Sequence, residues 1–267
     1  MFADDICLKY QDLKPEDIRF LLSEILSLPP SRLHSRLTFN SEQKHLFESA
    51  IKRLRTGEPP QYIVNNAWFY GLSFYVDKRV LIPRFDSEVL VEALSRYIKG
   101  DERVLEIGVG SAALSIALKK EFPSLVMHGT DISKDALAVA KINAERHGCD
   151  ITFHHADLFP SVESGFDIIL SNPPYISENE YQKLDSRVKD YEPKSALLAK
   201  NEGLEYYQRI YENMASYLNI NGIVAFEHGF DQQARIVNLT ESYGFKILQM
   251  GKDLSSRDRF IIAKINS

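Results

Sequence analysis

The sequence predicts an α/β protein in which a doubly wound, Rossmann-like domain follows a small helical domain and a β-hairpin. Up to about residue 56 the apolar residues recur with helical spacing, and an aromatic, β-rich stretch follows. From about Phe85 onward, strand-like and helix-like segments alternate. Such alternation is typical of a mostly parallel sheet with helices on both faces. We therefore divide the chain into residues 1–56, 57–84 and 85–267.

Two amphipathic helices are predicted in the first 56 residues. Pro15 near the first helical position, followed by Glu16 and Asp17, indicates one helix start, and the prolines at 29–30 end that helix. A second helix is predicted from near Ser41. The two apolar faces consist of Ile18, Leu21, Leu22 and Ile25, and of Leu46, Phe47, Ile51 and Leu54. Together these faces predict a small helical bundle.

The linker between the two domains is predicted to be β-structure. The glycine and prolines in residues 57–60 signal a boundary. Gly71 then separates two apolar, aromatic runs, as expected for a hairpin. The predicted β segments are residues 62–64, 68–76 and 80–82.

The C-terminal domain is predicted to alternate strands and helices and to end with a pair of strands. The predicted strands are residues 103–107, 125–130, 151–155, 166–171, 223–227, 245–250 and 259–265. The predicted helices are residues 87–98, 112–120, 133–147, 204–218 and 230–243.

Composition narrows the range of partners and compartments. The net charge is −5 and the sequence pI about 5.8, so no overall basic field attracts nucleic acid or anionic membrane. Cys7 and Cys149 have no metal-ligand spacing and are expected to be free thiols. No apolar run is long enough to span a bilayer, and acids occupy the N-terminus where a secretory signal carries positive charge. We expect a cytoplasmic protein without membrane, metal or direct nucleic-acid partners.

Polar residues and glycines follow the predicted strands at the edge where doubly wound sheets bind ligands. Asp131 ends the second strand and suits a ribose diol, because a carboxylate accepts both hydroxyl hydrogens. Asp157 suits an adenine amino group, with the Leu158 N–H at a ring nitrogen. The predicted cofactor-binding residues are Glu106, Gly108, Gly110, Asp131, Asp157, Leu158 and Asn172.

Two cofactors fit an acid on the ribose: a nicotinamide dinucleotide and S-adenosylmethionine. Gly108 and Gly110, followed by Ala113, match part of a dinucleotide fingerprint, but a lone Gly-x-Gly has little specificity. Glu106 favours the second cofactor, because an acid beside the turn repels a pyrophosphate and attracts an ammonium and a sulfonium. We therefore predict S-adenosylmethionine, with S-adenosylhomocysteine as the product.

The segment Asn172-Pro173-Pro174-Tyr175 indicates the chemistry. The Asn172 side-chain carbonyl and the Pro173 backbone carbonyl can accept both hydrogens of a planar –NH2 group. The prolines fix φ, and Tyr175 offers an aromatic face for stacking. We predict Asn172, Pro173 and Tyr175 as catalytic residues and all four as substrate-binding residues. The expected reaction is methyl transfer to an amide or exocyclic amine nitrogen.

The chain resembles the protein N5-glutamine methyltransferases over nearly its whole length. The matching segments are residues 58–63, 69–72, 80–84, 106–110, 131–133, 157–159, 172–176, 202–204, 227–229 and 257–259. The resemblance implies a class I methyltransferase domain, and an N-terminal helical domain that helps to hold the protein substrate. The implied acceptor is the glutamine of the Gly-Gly-Gln loop of class I release factors, whose methylation supports translation termination. This chain has Ala112 and Phe85 where the family usually has glycine and proline.

Three alternatives stay open at this stage. An adenine-N6 methyltransferase acting on RNA or DNA shares the Asn-Pro-Pro-Tyr motif and would flip a base into the same pocket. A ribosomal protein could be the glutamine substrate instead. A catalytically silent protein could bind S-adenosylmethionine only as a sensor.

Several polar residues carry weaker predictions. His154 and His155 are adjacent on a strand, so their side chains point to opposite faces and a structural role is favoured. His228 follows a strand end and is assigned either to the cleft or to loop packing. The polar residues 178–194 are expected either to cover the substrate or to form a solvated loop.

Overall fold

The chain divides into two compact units in the computed structural model, which describes residues 2–161 and 164–265. The helical unit contains the described residues up to Asn66 together with Asp185–Tyr191. The sheet unit contains Ala67–Leu184 and the described residues from Glu192 onward.

From Glu88 onward the helices and strands follow one another in the predicted order, except that the two short helices within residues 178–191 were not predicted. In the described residues the helices are α1 (Ala3–Lys9), α2 (Pro15–Leu26), α3 (Ser41–Arg55), α4 (Pro60–Val64), α5 (Glu88–Ser95), α6 (Ala113–Glu121), α7 (Lys134–His147), α8 (Glu178–Tyr181), α9 (Ser186–Tyr191), α10 (Glu205–Met214) and α11 (Gln233–Ser242). The strands there are β1 (Ala67–Phe69), β2 (Leu72–Phe74), β3 (Arg103–Ile107), β4 (Val126–Asp131), β5 (Ile151–His155), β6 (Phe166–Ser171), β7 (Leu218–Glu227), β8 (Phe245–Lys252) and β9 (Asp258–Ile265).

The two predicted N-terminal helices are confirmed as α2 and α3. Pro15 occupies the first turn of α2, and Asn40 caps α3 by accepting a hydrogen bond from the Gln43 N–H at 2.8 Å. Of the predicted α3 face, Leu46 is wrongly placed: it is exposed, because Ala50 completes the buried stripe instead. The short helix α1 was not predicted; its seven residues carry too little periodicity.

Residues 62–64 were predicted as β-structure, and this prediction is wrong because they lie in α4. Pro60 starts the helix, where its fixed φ is favourable and its missing N–H costs nothing. Ile63 donates to the Pro59 carbonyl at 3.1 Å, and its side chain is buried in the core of the helical unit. Burial in that core thus overrides the β preference of the branched side chains. Residues 80–82, also predicted as β, lie in an irregular segment after a turn.

The predicted hairpin is confirmed as β1 and β2. Tyr70 and Gly71 have φ of +50° and +71°, as a two-residue turn of type I′ requires. Asn143, buried in α7, fixes the chain just after the hairpin. Its side chain accepts from the Tyr75 N–H at 2.7 Å and donates to the Tyr75 and Ser111 carbonyls, both at 3.0 Å. One side chain therefore ties the hairpin to the glycine-rich turn after β3.

The predicted parallel sheet is also confirmed. In the described part of the chain its strand order is β5-β4-β3-β6-β7-β9-β8, with β9 antiparallel to both of its neighbours. The chain runs outward from β3 through β4 to β5 and then returns to place β6 on the other side of β3. Ligands bind in such sheets beyond the carboxyl ends of the strands at this reversal. Glu106 near the end of β3 and Asn172 directly after β6 lie on either side of it.

Candidate active site

A cleft at the carboxyl edge of the sheet collects most of the predicted site residues. The predicted residues that line it are Gly108, Gly110, Asp131, Asp157, Leu158, Asn172, Pro173 and Pro174. The cleft holds about 870 Å³ of empty space, part of it open to solvent. A second cavity shares Gly108, Gly110 and Asn172 with this cleft and is lined in addition by Glu106. The sheet therefore brings nine separately predicted residues to one place.

Glu106 is a buried carboxyl group held from α6. Ser115 donates both its backbone N–H, at 2.9 Å, and its hydroxyl to Glu106 Oε2. Burial raises the pKa of Glu106 to about 8, although both bonds from Ser115 favour the charged form. A cationic ligand in the adjoining cavity would restore the charge of this group. Ser115 could have been suspected from the sequence, since it is a polar residue inside an apolar helical run.

The turn after β3 adopts left-handed backbone at three positions. Gly108 and Gly110 have φ of +72° and +51°, which glycine adopts without strain. Ala112, which is buried, has φ of +64° directly before α6. A Cβ in this region costs about 1–2 kcal/mol. The substitution of the usual glycine by Ala112 therefore leaves the turn intact but strained.

Asp131 is oriented by backbone donors on both carboxylate oxygens. Gly110 N–H donates to Oδ2 at 3.0 Å, and Ser133 N–H donates to Oδ1 at 2.8 Å. Burial raises the pKa of Asp131, while these two bonds act in the opposite direction. Each carboxylate oxygen keeps a second lone pair. The side chain can therefore accept the two hydroxyl hydrogens of a ribose without giving up its fixed orientation.

The turn after β5 combines an ion pair with backbone strain. Asp157 Oδ2 pairs with Arg209 Nη2 from α10 at 2.7 Å, and both residues line the cleft. Leu158 has φ of +73°, a conformation that a bulky residue rarely adopts. The Thr130 hydroxyl holds this conformation by donating to the Leu158 carbonyl at 2.6 Å. Strained backbone of this kind is concentrated at ligand-binding sites.

Asn172 lines both cavities, and a hydrogen bond to Ser87 orients its side-chain amide. Asn172 Nδ2 donates to Ser87 Oγ at 3.3 Å, where Ser87 immediately precedes α5. The amide oxygen is thereby left on the cleft side. Pro173 is buried and fixes the chain beside it.

Tyr175 is partly buried, and its contacts are with the core and with charged groups. Its ring packs against the core, and its hydroxyl lies 3.5 Å from Glu227 Oε1 and 3.4 Å from Arg259 Nη1. Gln232 donates to the Tyr175 carbonyl at 2.8 Å. A Cβ at Gly203, whose φ is +87°, would lie 2.1 Å from the same carbonyl oxygen. The contacts of the Tyr175 hydroxyl, of Gln232 and of Gly203 therefore fix the position of Tyr175. The predicted stacking role of Tyr175 stays a prediction.

The charged groups around Tyr175 were not assigned a role from the sequence. Burial raises the pKa of Glu227 to about 7, and the Ser87 hydroxyl and the Arg259 charge partly oppose this shift. Arg259 is itself buried and binds Asp253 Oδ2 at 2.8 Å. The sequence pattern did not indicate a role for Ser87, because Asn172 and Glu227, the groups that it lies near, are distant in the chain.

The three histidines have structural surroundings. His154 stacks on His128, with ring nitrogens 3.1 Å apart, and His155 Nε2 lies 3.0 Å from the Ile132 carbonyl. His228 is fully buried, and burial lowers its pKa. It belongs to the loop packing beneath the cleft.

Two global features complete the description. In the described part of the chain, no group of three or more histidine, cysteine or acidic side chains is arranged to hold a metal ion. Within the same residues, none of the helices is both long and apolar enough to cross a membrane.

Comparison with known proteins identifies the family. The model of the methyltransferase small domain matches residues 84–188, and that of the PrmC N-terminal domain matches residues 7–64. A release factor glutamine methyltransferase of Enterococcus faecalis is 38% identical over 238 residues, covering 87% of this chain and 85% of that protein. The chain belongs to this family. A second relative of the same name, from Bacillus anthracis, is 37% identical and covers 87% of this chain and 86% of its own length.

The fold comparison agrees with the family. A methyltransferase structure from Pyrococcus furiosus superposes with a TM-score of 0.58 at 18% identity, covering 85% of this chain and all of that one. The chain is an S-adenosylmethionine-dependent methyltransferase. The cleft fits that cofactor, since it combines a buried carboxyl for a cationic group with a fixed carboxylate for a diol.

Proposed function

We propose that this chain methylates the side-chain amide nitrogen of the glutamine in the Gly-Gly-Gln loop of class I peptide chain release factors, and thereby supports translation termination. The observation that carries the proposal is the position of Asn172 and Pro173, beside Glu106 at the reversal of the sheet. The relatives' name, release factor glutamine methyltransferase, supports the same substrate.

The cofactor-binding residues have separate proposed tasks. Glu106 faces the ammonium and sulfonium region, and Asp131 holds the ribose hydroxyls. Asp157 and the Leu158 N–H bind the adenine edge. Gly108 and Gly110 let the backbone approach the ligand. S-adenosylmethionine supplies an electrophilic methyl group on its sulfonium and leaves as S-adenosylhomocysteine.

The acceptor nitrogen is oriented rather than deprotonated before transfer. An amide nitrogen has a delocalised lone pair and is a poor nucleophile. Asn172 Oδ1 and the Pro173 carbonyl accept its two hydrogens and so turn the nitrogen toward the methyl group. The same two oxygens stabilise the positive charge that develops on nitrogen. The proton is then lost to water, and Tyr175 and Pro174 shape the pocket.

The N-terminal residues have a proposed role in holding the protein substrate. The helical unit has its own apolar core, to which α1, α2, α3 and α4 all contribute. The match of residues 7–64 to the PrmC N-terminal domain supports this assignment. We assign the binding of the release factor to residues 1–56 and the linking role to residues 57–84.

A transfer assay tests the substrate. Labelled S-adenosylmethionine is offered with a purified class I release factor, with that factor carrying a changed Gly-Gly-Gln glutamine, and with ribosomal protein, RNA and DNA. Label on the factor alone, lost with the glutamine, supports the proposal. Label on RNA or DNA would instead establish adenine-N6 methylation. Label on ribosomal protein would show that the substrate is a ribosomal protein and not a release factor. If the protein binds S-adenosylmethionine but transfers no methyl group to any of these acceptors, it acts only as a sensor of S-adenosylmethionine.

A further inference from the structure

We propose that Glu227 and Ser87 are positioning residues that fix the amide of Asn172 with its oxygen toward the substrate. This inference rests on the proposed function, in which Asn172 Oδ1 accepts a hydrogen of the substrate amide. An asparagine amide has a donor and an acceptor end, and only one orientation presents the acceptor. The inference concerns what selects that orientation.

The sheet places Glu227 next to the Asn172 loop. Strand β7 runs parallel to β6, and Phe226 pairs with Ser171, so both strands end at the same edge. Glu227 follows Phe226 as Asn172 follows Ser171. The Glu227 side chain is 1% exposed. It is therefore a buried carboxyl at the end of the strand next to the one that Asn172 follows.

Arg259 sets the direction of the hydrogen bonds on one side of Glu227. A guanidinium can only donate, so the Tyr175 hydroxyl accepts from Arg259 Nη1 at 3.4 Å. The hydroxyl hydrogen then points to Glu227 Oε1, 3.5 Å away. The carboxylate thus acts as the acceptor at the end of this chain of groups, and the charge of Arg259 favours its ionised form.

Glu227 sets the direction on the other side. Its Oε2 is buried and, with the side chains as they stand, accepts no hydrogen bond from a described residue. This acceptor is open to the hydrogen of the Ser87 hydroxyl, whose proximity favours the charged carboxylate. With its hydrogen directed to Glu227, Ser87 Oγ is left as an acceptor for Asn172 Nδ2, at 3.3 Å. Asn172 must then turn its oxygen to the cleft.

Replacement of Glu227 by glutamine would remove this selection. The glutamine amide can donate to Ser87, whose hydroxyl would then be free to donate to the Asn172 oxygen. That arrangement turns the Asn172 –NH2 group toward the cleft, where it meets the –NH2 of the substrate. Two –NH2 groups that face each other cannot form a hydrogen bond, so the hydrogen bond that holds the substrate amide is lost.

The test compares Ser87→Ala, Glu227→Gln and the double variant. Three quantities are measured: kcat, the affinity for S-adenosylhomocysteine, and the affinity of the protein loaded with S-adenosylhomocysteine for a class I release factor. Each single variant is expected to lower kcat about 10–100-fold, up to the loss of about 100-fold that a 1 Å misplacement of a catalytic group can cause. Affinity for S-adenosylhomocysteine should stay within about twofold. Thr240→Val, which removes a buried hydrogen bond to the Tyr211 hydroxyl, is the control for a general loss of stability.

The double variant decides whether the two residues act in series. If Glu227 acts through Ser87, the double variant is no slower than either single one. Additive losses of kcat would overturn the proposal, as would unchanged kcat and release-factor affinity in Glu227→Gln. A wild-type protein that neither binds nor methylates the factor would instead refute the proposed function.

A spectroscopic measurement on Ser87→Ala covers the case in which Glu227→Gln does not fold. The side-chain –NH2 resonances of Asn172, assigned by their loss in Asn172→Asp, report directly on its hydrogen bond to Ser87. In Ser87→Ala protein that still binds S-adenosylhomocysteine, these resonances should shift. Unchanged resonances would overturn the proposal, and this reading does not depend on which substrate the protein methylates.

Discussion

Cofactor binding should release a proton from Glu106. This carboxyl is buried, and its pKa is raised to about 8 because burial disfavours the charged form. About nine-tenths of the side chains are therefore protonated at pH 7 in the free protein. A bound ammonium and sulfonium favour the carboxylate, so binding at pH 7 should release up to about 0.9 proton from this group.

The same linkage predicts how affinity changes with pH. If only the ionised form of Glu106 binds the cofactor well, the dissociation constant should rise about 50-fold between pH 8 and pH 6. Glu106→Gln should abolish most of this dependence, and its amide oxygen can still accept both bonds from Ser115.

Calorimetry in buffers of different ionisation enthalpy measures the released protons directly. The difference between wild type and Glu106→Gln isolates this group from the cofactor's own titration, and Glu145→Gln, at an exposed site on α7, is the matched control. Equal proton release in wild type and Glu106→Gln would refute the reasoning, as would no release from wild type at pH 7.

Four further predictions concern the turn after β3, the Asn172 loop and Glu227. Ala112→Gly should raise the free energy of unfolding by about 1 kcal/mol, since it relieves left-handed strain; urea denaturation would contradict this if stability stayed equal or fell. Asn172→Ala should lower kcat at least about 100-fold with S-adenosylhomocysteine affinity nearly unchanged, and unchanged turnover would exclude its orienting role. Gly203→Ala should lower Tm by about 5–15 °C, because its Cβ would meet the Tyr175 carbonyl; a Tm equal to wild type would show that the loop can yield. The raised pKa of Glu227, about 7 when folded, should make unfolding easier by up to about 3 kcal/mol as pH rises from 4.5 past 7; Glu227→Gln should remove this contribution in denaturation series and leave the one from Glu106.

The central strands β3 and β6 could be predicted closely because almost all of their residues are buried. Residues 103–107 and 166–171 are mostly apolar, residues 151–155 begin with alternating apolar and polar side chains, and the structure places these strands at those bounds. Residues 62–64 show where such reading fails. Their branched side chains favour a strand locally, but a proline at the helix start and burial in the helical unit decide for a helix.

The cleft residues could be predicted, but the residues that orient them could not. Parallel strands bring their carboxyl ends to one edge, so a polar residue after each strand is sufficient to indicate the site. The supporting contacts join distant parts of the chain: Ser87 lies 85 residues from Asn172, and Glu227 lies 52 residues from Tyr175. Local propensity and spacing carry no information on such pairs. They become visible only when the fold fixes which strand ends are neighbours.

Glu106 and Glu227 have in common an environment that disfavours their own charge. Both are almost fully buried at the carboxyl edge of the sheet, and burial raises the pKa of each. A buried carboxyl lowers stability at neutral pH compared with an apolar residue of similar size. In natural sequences such local conflicts are expected at functional sites. One of the two lies beside the proposed cationic centre of the cofactor, and the other lies next to the Asn172 loop, which is proposed to grip the acceptor. Both destabilising carboxyl groups therefore lie at positions where a charge, or the direction of a hydrogen bond, is proposed to assist methyl transfer.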